Sequence, residues 1–413
     1  MREMKPSSME WVGNIPTSWK VMPNKYLMHK KKEICPVYNG EDILSLTMKG
    51  VIVRDLDAGG KMPTSFDGYQ RLEPGNLLMC LFDIDVTPRC IGLIKQTGLS
   101  SPAYSQFVLS DDANAAYYCY YYTMLDNDKT LLHLAKNLRH SLTEDQLGSI
   151  PVIVPPMDEQ QRIADFLDTK CAEIDALTAD IQTQIDTLEQ YKRSVITETV
   201  TKGLNPGAEM KDSGIEWVGQ IPLSWNAVPN KYLMYKVKNI CPIYNGEDIL
   251  SLTTNGVIIR DLNGGGKMPT SFDGYQKVTP GNLLMCLFDI DVTPRCIGLV
   301  KNFGLTSPAY IQFVMRVGAY APYYYYYYLM VDYTKELLHM AKNLRHSLTE
   351  DQLGAIKAPN PPYEEQVQIA EFLDKKCMEI SRVIEDKNKQ LATLDKYKKS
   401  LIFEYVTGKK EVI

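Results

Sequence analysis

The chain of 413 residues is written twice. Residue n corresponds to residue n+206 from Glu10 and Glu216 to the C-terminus, without a gap. EWVG at Glu10–Gly13 returns at Glu216–Gly219, and PGNLLMCLFDIDVTPRCIGL at Pro74–Leu93 returns unchanged at Pro280–Leu299. AKNLRHSLTEDQLG at Ala135–Gly148 returns unchanged at Ala341–Gly354. A repeat of 206 residues is far longer than the units that stack into solenoids. Each copy is large enough to bury a core of its own, so the duplication predicts two like domains.

Each copy ends in a long helical stretch. Glu159 to Lys202 contains no Pro or Gly, and apolar residues recur at Ile174, Leu177, Ile181, Ile185, Leu188, Tyr191 and Val195. These steps of three and four are the spacing of a helix with one apolar seam. Gly203 and Pro206 stop it. Such a helix is roughly 60 Å long at the usual rise per residue, so it projects and needs a partner. The second copy supplies one over Glu365 to Lys409, with Ile380, Val383, Leu391, Leu394, Tyr397 and Leu401. Ile181 of the first seam meets Lys387 at the equivalent place in the second. The expected order is domain 1–156, helix 157–206, domain 207–362, helix 363–413.

Within a domain, short apolar runs alternate with turn residues. Ile43–Thr47, Gly50–Leu56, Asn76–Ile84 and Cys90–Ile94 read as strands of a mixed or antiparallel sheet. Ala115 to Asn137 reads as helix, and Pro155-Pro156 separates the domain from the long helix, with Asp158 as its expected N-cap.

Charge narrows the function. The net charge is −5, which does not by itself mark a nucleic-acid binder. Met157–Pro206 holds 5 basic and 10 acidic residues, so the first long helix accounts for the whole excess and the domains are close to neutral. An acidic helix suits protein or water better than phosphate. No window is long and apolar enough for a membrane span, and the opening MREMKPSSMEW has no signal-peptide core. A cytoplasmic protein with no membrane partner is expected. Eight of nine Cys fall into repeat-related pairs, and Cys119 faces Tyr325. With no CxxC or Cys/His cluster, reduced and mostly buried thiols are expected.

No catalytic constellation emerges. Asn360-Pro361-Pro362-Tyr363 spells the NPPY of adenine-N6 methyltransferases, but its counterpart is Val154-Pro155-Pro156-Met157 and no cofactor-binding Gly-rich turn precedes it. The AGGKMPTS and GGGKMPTS runs lack P-loop spacing. Asp83 and Asp85 lack the partners of a nuclease metal site, so no metal is expected. His140 and His346 have no nucleophile elbow beside them.

A binding surface used twice is the remaining reading. Base edges are read by hydrogen-bonding side chains on loops, while other donors take phosphate. The first copy offers Lys61, Thr64, Ser65, Tyr69 and Gln70, then Thr87 and Arg89. It adds Ser101, Tyr104 and Gln106, then Asn137, Arg139 and His140. The second offers Lys267, Thr270, Tyr275 and Gln276, then Thr293 and Arg295. Tyr310 and Gln312 follow, then Asn343, Arg345 and His346. Arg89, Arg295, Arg139 and Arg345 are the strongest candidates, each in a polar loop between apolar elements. The tyrosine runs Tyr117–Tyr122 and Tyr323–Tyr328 offer faces for base stacking, but a packing face of the helix is favoured.

Together these residues resemble the specificity subunit of type I restriction-modification systems. The resemblance runs through EWVGNIPTSWKV, NKYL, GVIVRD, GYQRLEPGNLLM, SPAY and VIVPPMDEQQRIADFLD in both halves. Its most specific part is the junction PPMDEQQRIADFLD at Pro155–Asp168, matched by PPYEEQVQIAEFLD at Pro361–Asp374. The resemblance implies an α+β fold of two repeated α/β target-recognition domains, separated by two long antiparallel helices that form a coiled coil with pseudo-twofold symmetry. It implies double-stranded DNA, methyltransferase subunits and restriction subunits as partners. S-adenosylmethionine, ATP and Mg would then belong to those partners, with no cofactor and no catalysis in this chain.

Because the two domains are near copies, the expected target is an inverted repeat with half-site centres about one helical turn apart or somewhat more. Two other classes compete: a self-contained methyltransferase or nuclease, and a stand-alone twin-domain regulator.

Overall fold

The computed structural model describes residues 2–58, 63–135, 140–263, 269–341 and 346–412. It divides into two compact units, Met1–Ile181 with Asn388–Ile413, and Gln182–Lys387. These units are not blocks of the chain. Each joins one domain to the first half of the long helix that follows it and the second half of the other long helix.

After a short N-terminal hairpin, the first domain runs β1 (Lys20–Pro23), β2 (Met28–Lys31), the hairpin β3–β4 (Leu44–Thr47 and Gly50–Val53), β5 (Gln70–Leu72), β6 (Leu77–Met79), β7 (Ile91–Leu93), β8 (Gly98–Ser100), β9 (Ser105–Leu109), α1 (Ala115–Asn127) and β10 (Pro151–Val154). The main sheet is antiparallel, in the order β2-β9-β6-β7. Its middle strand β6 is buried on both faces. Leu77 and Met79 enter the large core with the tyrosines of α1, while Leu78 enters a smaller core with Leu44, Leu72 and Ile94. The strand period of two explains the split. The hairpin β3–β4 lies close over β7 at Gly92, where an added Cβ would stand 2.8 Å from both Leu46 and Val51.

The second domain repeats this script, with the sheet order and register preserved. The helix expected over Ala115–Asn137 stops at Asn127 and resumes over Thr130–Leu134. Lys129 between them adopts a left-handed φ of 49°, which an α-helix cannot continue.

Long helices follow: α2 (Met157–Lys202) and α3 (Tyr363–Val406). The N–H groups of Glu159 and Gln160 reach Pro156 O, each at 3.0 Å. Pro156 is therefore the cap, and Asp158 sits in the first turn, where its charge still suits the helix dipole. In the first unit, Phe166 of α2 packs on Tyr405 of α3 with ring centroids 4.4 Å apart, and Asp175 meets Lys398 at 2.6 Å. In the second, Lys192 donates to Ser381 at 2.8 Å, and Lys387 donates to Gln184. Rising numbers on one helix meet falling numbers on the other, so the pairing in each unit is antiparallel. Lys387, the charge in place of Ile181, is received by a glutamine amide.

The seam is narrower than the apolar pattern. Ile174, Ile181, Ile185 and Ile380 are buried, and Leu188, Leu391 and Leu394 are half-buried. Leu177, Tyr191, Val383 and Tyr397 are 45 to 54% exposed. These four therefore lie at the edge of the seam rather than inside it.

The junction motif explains how each domain is fixed to its helix. Glu159 accepts from Trp19 Nε1 at 2.7 Å, and Glu365 from Trp225 Nε1 at 2.9 Å. The next residue, Gln160, donates to Pro155 O and Asp112 O and accepts from Asn114 N–H. Gln366 does the same with Pro361 O, Gly318 O and Tyr320 N–H. The tyrosine runs complete the attachment. Tyr117, Tyr118, Tyr121 and Tyr122 are fully buried. Tyr117 donates to Val406 O and Tyr120 to Asp168, each at 2.7 Å. They are packing residues and present no face to a base. Asn360 of NPPY likewise accepts from Tyr324 at 2.8 Å within the domain.

All nine cysteines are free, and all but the half-buried Cys119 are buried. No helix among the described residues is long and apolar enough to cross a membrane.

Candidate nucleic-acid interface

Four separate loops of each domain meet at one end of the main sheet. They are the described end of the loop before β5, the β6–β7 loop, the turn after β8, and the segment that begins at His140. Three side-chain or backbone links tie them together. Gln70, the first residue of β5, donates to Ser101 O and Tyr104 O, both at 2.8 Å, fixing the end of the first loop against the third. Tyr104 stacks on Phe82 at 6.1 Å, joining the third to the second. Ile84 N–H reaches His140 O at 3.1 Å and Leu142 N–H reaches Leu81 O at 2.8 Å, joining the second to the fourth. The second domain repeats each link through Gln276, Tyr310 with Phe288, and Ile290 with His346. The two longest stretches shared unchanged by the copies are thus neighbours in space.

The β6–β7 loop is held from beneath. Asp126 near the end of α1 has a side chain only 2% exposed. It accepts from Lys129 at 3.0 Å, Arg89 at 3.3 Å and Cys90 N–H at 3.0 Å. Lys129 Nζ also donates to Thr87 O at 2.9 Å and Ile84 O at 3.3 Å. One buried carboxylate therefore positions a lysine that grips the loop at two carbonyls. Burial and the Asp126 charge push the Cys90 thiol up to about 12, so it is a neutral packing group. In the second domain Asp332 receives Lys335 at 3.0 Å and Cys296 N–H at 3.2 Å, with Arg295 at 3.5 Å, and Lys335 donates to one loop carbonyl, Thr293 O, at 2.8 Å. Burial and Asp332 likewise push the Cys296 thiol up to about 12.

This geometry sorts the candidate residues. Gln70, Gln276, Gln106 and Gln312 are at most 2% exposed, and their amides hydrogen-bond within the fold. Gln106 accepts from Glu73 N–H at 2.8 Å and donates to Arg71 O at 3.0 Å. They position loops and present nothing to a groove. Arg89 and Arg295 are drawn to Asp126 and Asp332, with side chains only 16 and 14% exposed, so they too stand behind the surface. Thr87 and Thr293 are half-buried, and the Thr87 hydroxyl donates to Asp83 O at 2.8 Å. Thr64, Thr270 and His140 are exposed, while Tyr69, Tyr275, Tyr104, Tyr310 and His346 are half-buried at the surface. Lys61, Asn137, Arg139, Lys267, Asn343 and Arg345 lie outside the described residues. The exposed charges of the β6–β7 loop itself are acidic, Asp83 and Asp85.

Sequence reading missed the Asp126–Lys129 pair and its copy. The signal was available: Asp126 and Asp332 are the only acids within two otherwise apolar, tyrosine-rich helical stretches up to that point, and a lone acid on such a face needs a buried partner.

Residues 100–187 match the type I restriction modification DNA specificity domain. The chain is 27% identical over 284 residues to the type I restriction enzyme MjaVIII specificity subunit of Methanocaldococcus jannaschii, covering 63% of this chain and 62% of that one. It is 26% identical over 290 residues to the putative MjaX specificity subunit of the same organism, covering 65% of this chain and 61% of the other. The matched region therefore spans less than two thirds of the length of these relatives. A chain from a solved structure of a type I restriction-modification system, described for its complex assembly and conformational transition, shares the fold with a TM-score of 0.70 at 13% identity, over 96% of this chain and 99% of that one.

Proposed function

We propose that this chain, which is a type I restriction-modification specificity subunit by its matched domain and its fold, reads DNA with the four-loop surface of each domain. The observation that carries the reading is the convergence, in both domains, of the stretches that the duplication left unchanged, on a platform fixed by buried hydrogen bonds. With the same loops in both domains, the two half-sites carry the same bases, and the target is an inverted repeat. Thr64, Thr270, His140 and His346, with the stretches around Lys61, Arg139, Lys267 and Arg345, supply its polar contacts. The chain itself is not catalytic and works in the cytoplasm. Methyltransferase subunits, which bring S-adenosylmethionine, and restriction subunits, which bring ATP and Mg, act on the DNA it selects. Leu177 and Tyr397 in the first unit, and Tyr191 and Val383 in the second, are partly exposed and suit the docking of such partners, since apolar residues at a helix surface gain most from a protein that covers them.

Co-expression with methyltransferase subunits of a type I system, followed by single-molecule methylation sequencing, tests this. The expected result is one modified bipartite motif whose halves are inverted copies. Two unrelated halves would refute the equivalence of the domains. Methyl transfer by this chain alone would refute the non-catalytic role.

A further inference from the structure

Positive φ is rare outside glycine and is retained where the surroundings enforce it, often at functional sites. Among the described residues, seven non-glycine positions have it, and six of them meet at the reading surface. They are Asp83 (47°), Lys129 (49°) and His140 (47°) in one domain, and Asp289 (46°), Lys335 (56°) and His346 (46°) in the other. Asp83 starts the loop, Lys129 grips it, and the carbonyl of His140 receives Ile84 N–H. Ile84 is 1% exposed and anchors the loop in the core. Two positions later, Val86 stands out at 74% exposure, and Val292 also at 74%. The Lys129 ammonium holds the carbonyls of Ile84 and Thr87, on either side of this valine. A loop that merely joined β6 to β7 would need neither the strain nor an apolar tip.

We propose that the Asp83–Pro88 loop and its copy at 289–294 enter the major groove, where Val86 and Val292 each cover the 5-methyl group of a thymine, one in each half-site. The inference rests on the DNA-reading role above. Valine has no hydrogen-bonding group, so it can only read shape and apolar surface. The thymine methyl is the apolar feature of a base edge, and it is displayed in the major groove. The neighbouring acids agree with this placement. Asp83 and Asp85 are repelled by phosphate, but in the major groove a carboxylate can accept from the exocyclic amine of cytosine or adenine. The strained, clamped loop lets the tip arrive already ordered, which lowers the entropy lost on binding.

The test uses the complex with its methyltransferase subunits and the motif found by methylation sequencing. Each thymine of the half-sites is replaced in turn by deoxyuridine, which removes only the methyl group. One thymine in each half-site should prove sensitive, with binding weakened about three- to tenfold. The Val86→Ala, Val292→Ala double variant should lose that discrimination and bind both duplexes alike. Val86 is exposed, so the variant should fold, and its salt-dependent binding to random duplex serves as the control. The proposal is overturned if no thymine responds to loss of its methyl, or if the response survives in the double variant. A motif that remains defined in either case leaves the DNA-reading role standing. A complex that modifies no defined motif overturns both.

Discussion

The two domains present the same loops but fasten them differently. Glu159 receives Trp19 and also Arg2, whose Nη2 lies 2.6 and 2.7 Å from its two oxygens. Glu365 receives Trp225, but the residue equivalent to Arg2 is Ala208. Behind the β6–β7 loop, Arg89 donates to Asn127 at 3.2 Å. Its counterpart Arg295 lies over the ring of Tyr333 at 5.1 Å, and Arg193 of α2 lies over the same ring at 5.0 Å. The surface has stayed constant while its supports have been exchanged. If both domains bind the same half-site, as proposed, that constrains the loops, whereas a support need only supply comparable free energy.

The sharpest test of that view is the part the domains share. Asp126→Ala leaves Lys129 and Arg89 without their buried partner and should cost about 3–5 kcal/mol. Asp332→Ala should cost about 1 kcal/mol less, because Arg295 keeps the Tyr333 ring. Hydrogen exchange resolved by unit, with urea unfolding, reads both values. Equal costs would show that the aromatic support contributes nothing.

A smaller effect is expected where each long helix ends on a domain. A Cβ on Gly408 (φ 69°) would stand 2.6 Å from Pro16 and 2.8 Å from Trp19, both rigid. On Gly203 (φ 75°) it would meet Glu365 Oε1 at 2.9 Å and Trp225 at 3.1 Å, and the carboxylate can move aside. Gly408→Ala should therefore cost about 2–3 kcal/mol and Gly203→Ala about 1–2 kcal/mol. Thermal unfolding of the two variants would reverse this order only if Pro16 and Trp19 yield more readily than Glu365.

These contrasts mark what the sequence could and could not reveal. Duplication and heptad spacing disclosed the two domains and the two helices, because both are regularities along the chain. The strands at Leu44–Thr47 and Ile91–Leu93 were legible from apolar runs between turn residues. The helix break at Lys129 was not, since a left-handed residue there is enforced by Asp126 and two loop carbonyls brought together only by folding. Gln70, Gln106 and Arg89 looked like readers because they are polar residues in loops. Whether an amide faces a groove or its own backbone depends on contacts more than 30 residues away. Leu177 and Tyr191 followed the helical period but lie at the edge of the seam, which spacing alone cannot separate from its centre.

Arg2 offers a test of an exchanged support. Its bidentate bond to Glu159 lies in a site where both side chains are about one-fifth exposed, at 21 and 18%. Arg2→Ala should destabilise the first unit by about 1–2 kcal/mol and leave the second untouched. Ala208→Arg should protect the second unit if the two junctions are equivalent. A loss that appears in both units would mean that they do not unfold independently.

The finest contrast is the aromatic support itself. Tyr333→Asn removes the ring beneath Arg295, and Asn127→Tyr offers one to Arg89. Cation–π contacts at partly exposed sites contribute about 0.5–1 kcal/mol each. The loop at 289–294 should therefore exchange its amide hydrogens severalfold faster in Tyr333→Asn, and the loop at 83–88 more slowly in Asn127→Tyr. The methylated motif, proposed to be an inverted repeat, should be the same in both variants as in the parent, because neither ring reaches the proposed reading surface. If the first substitution instead altered one half-site, Tyr333 would govern how Arg295 sets the loop's shape, and the two domains would owe their equivalence to the supports as well as to the loops they carry.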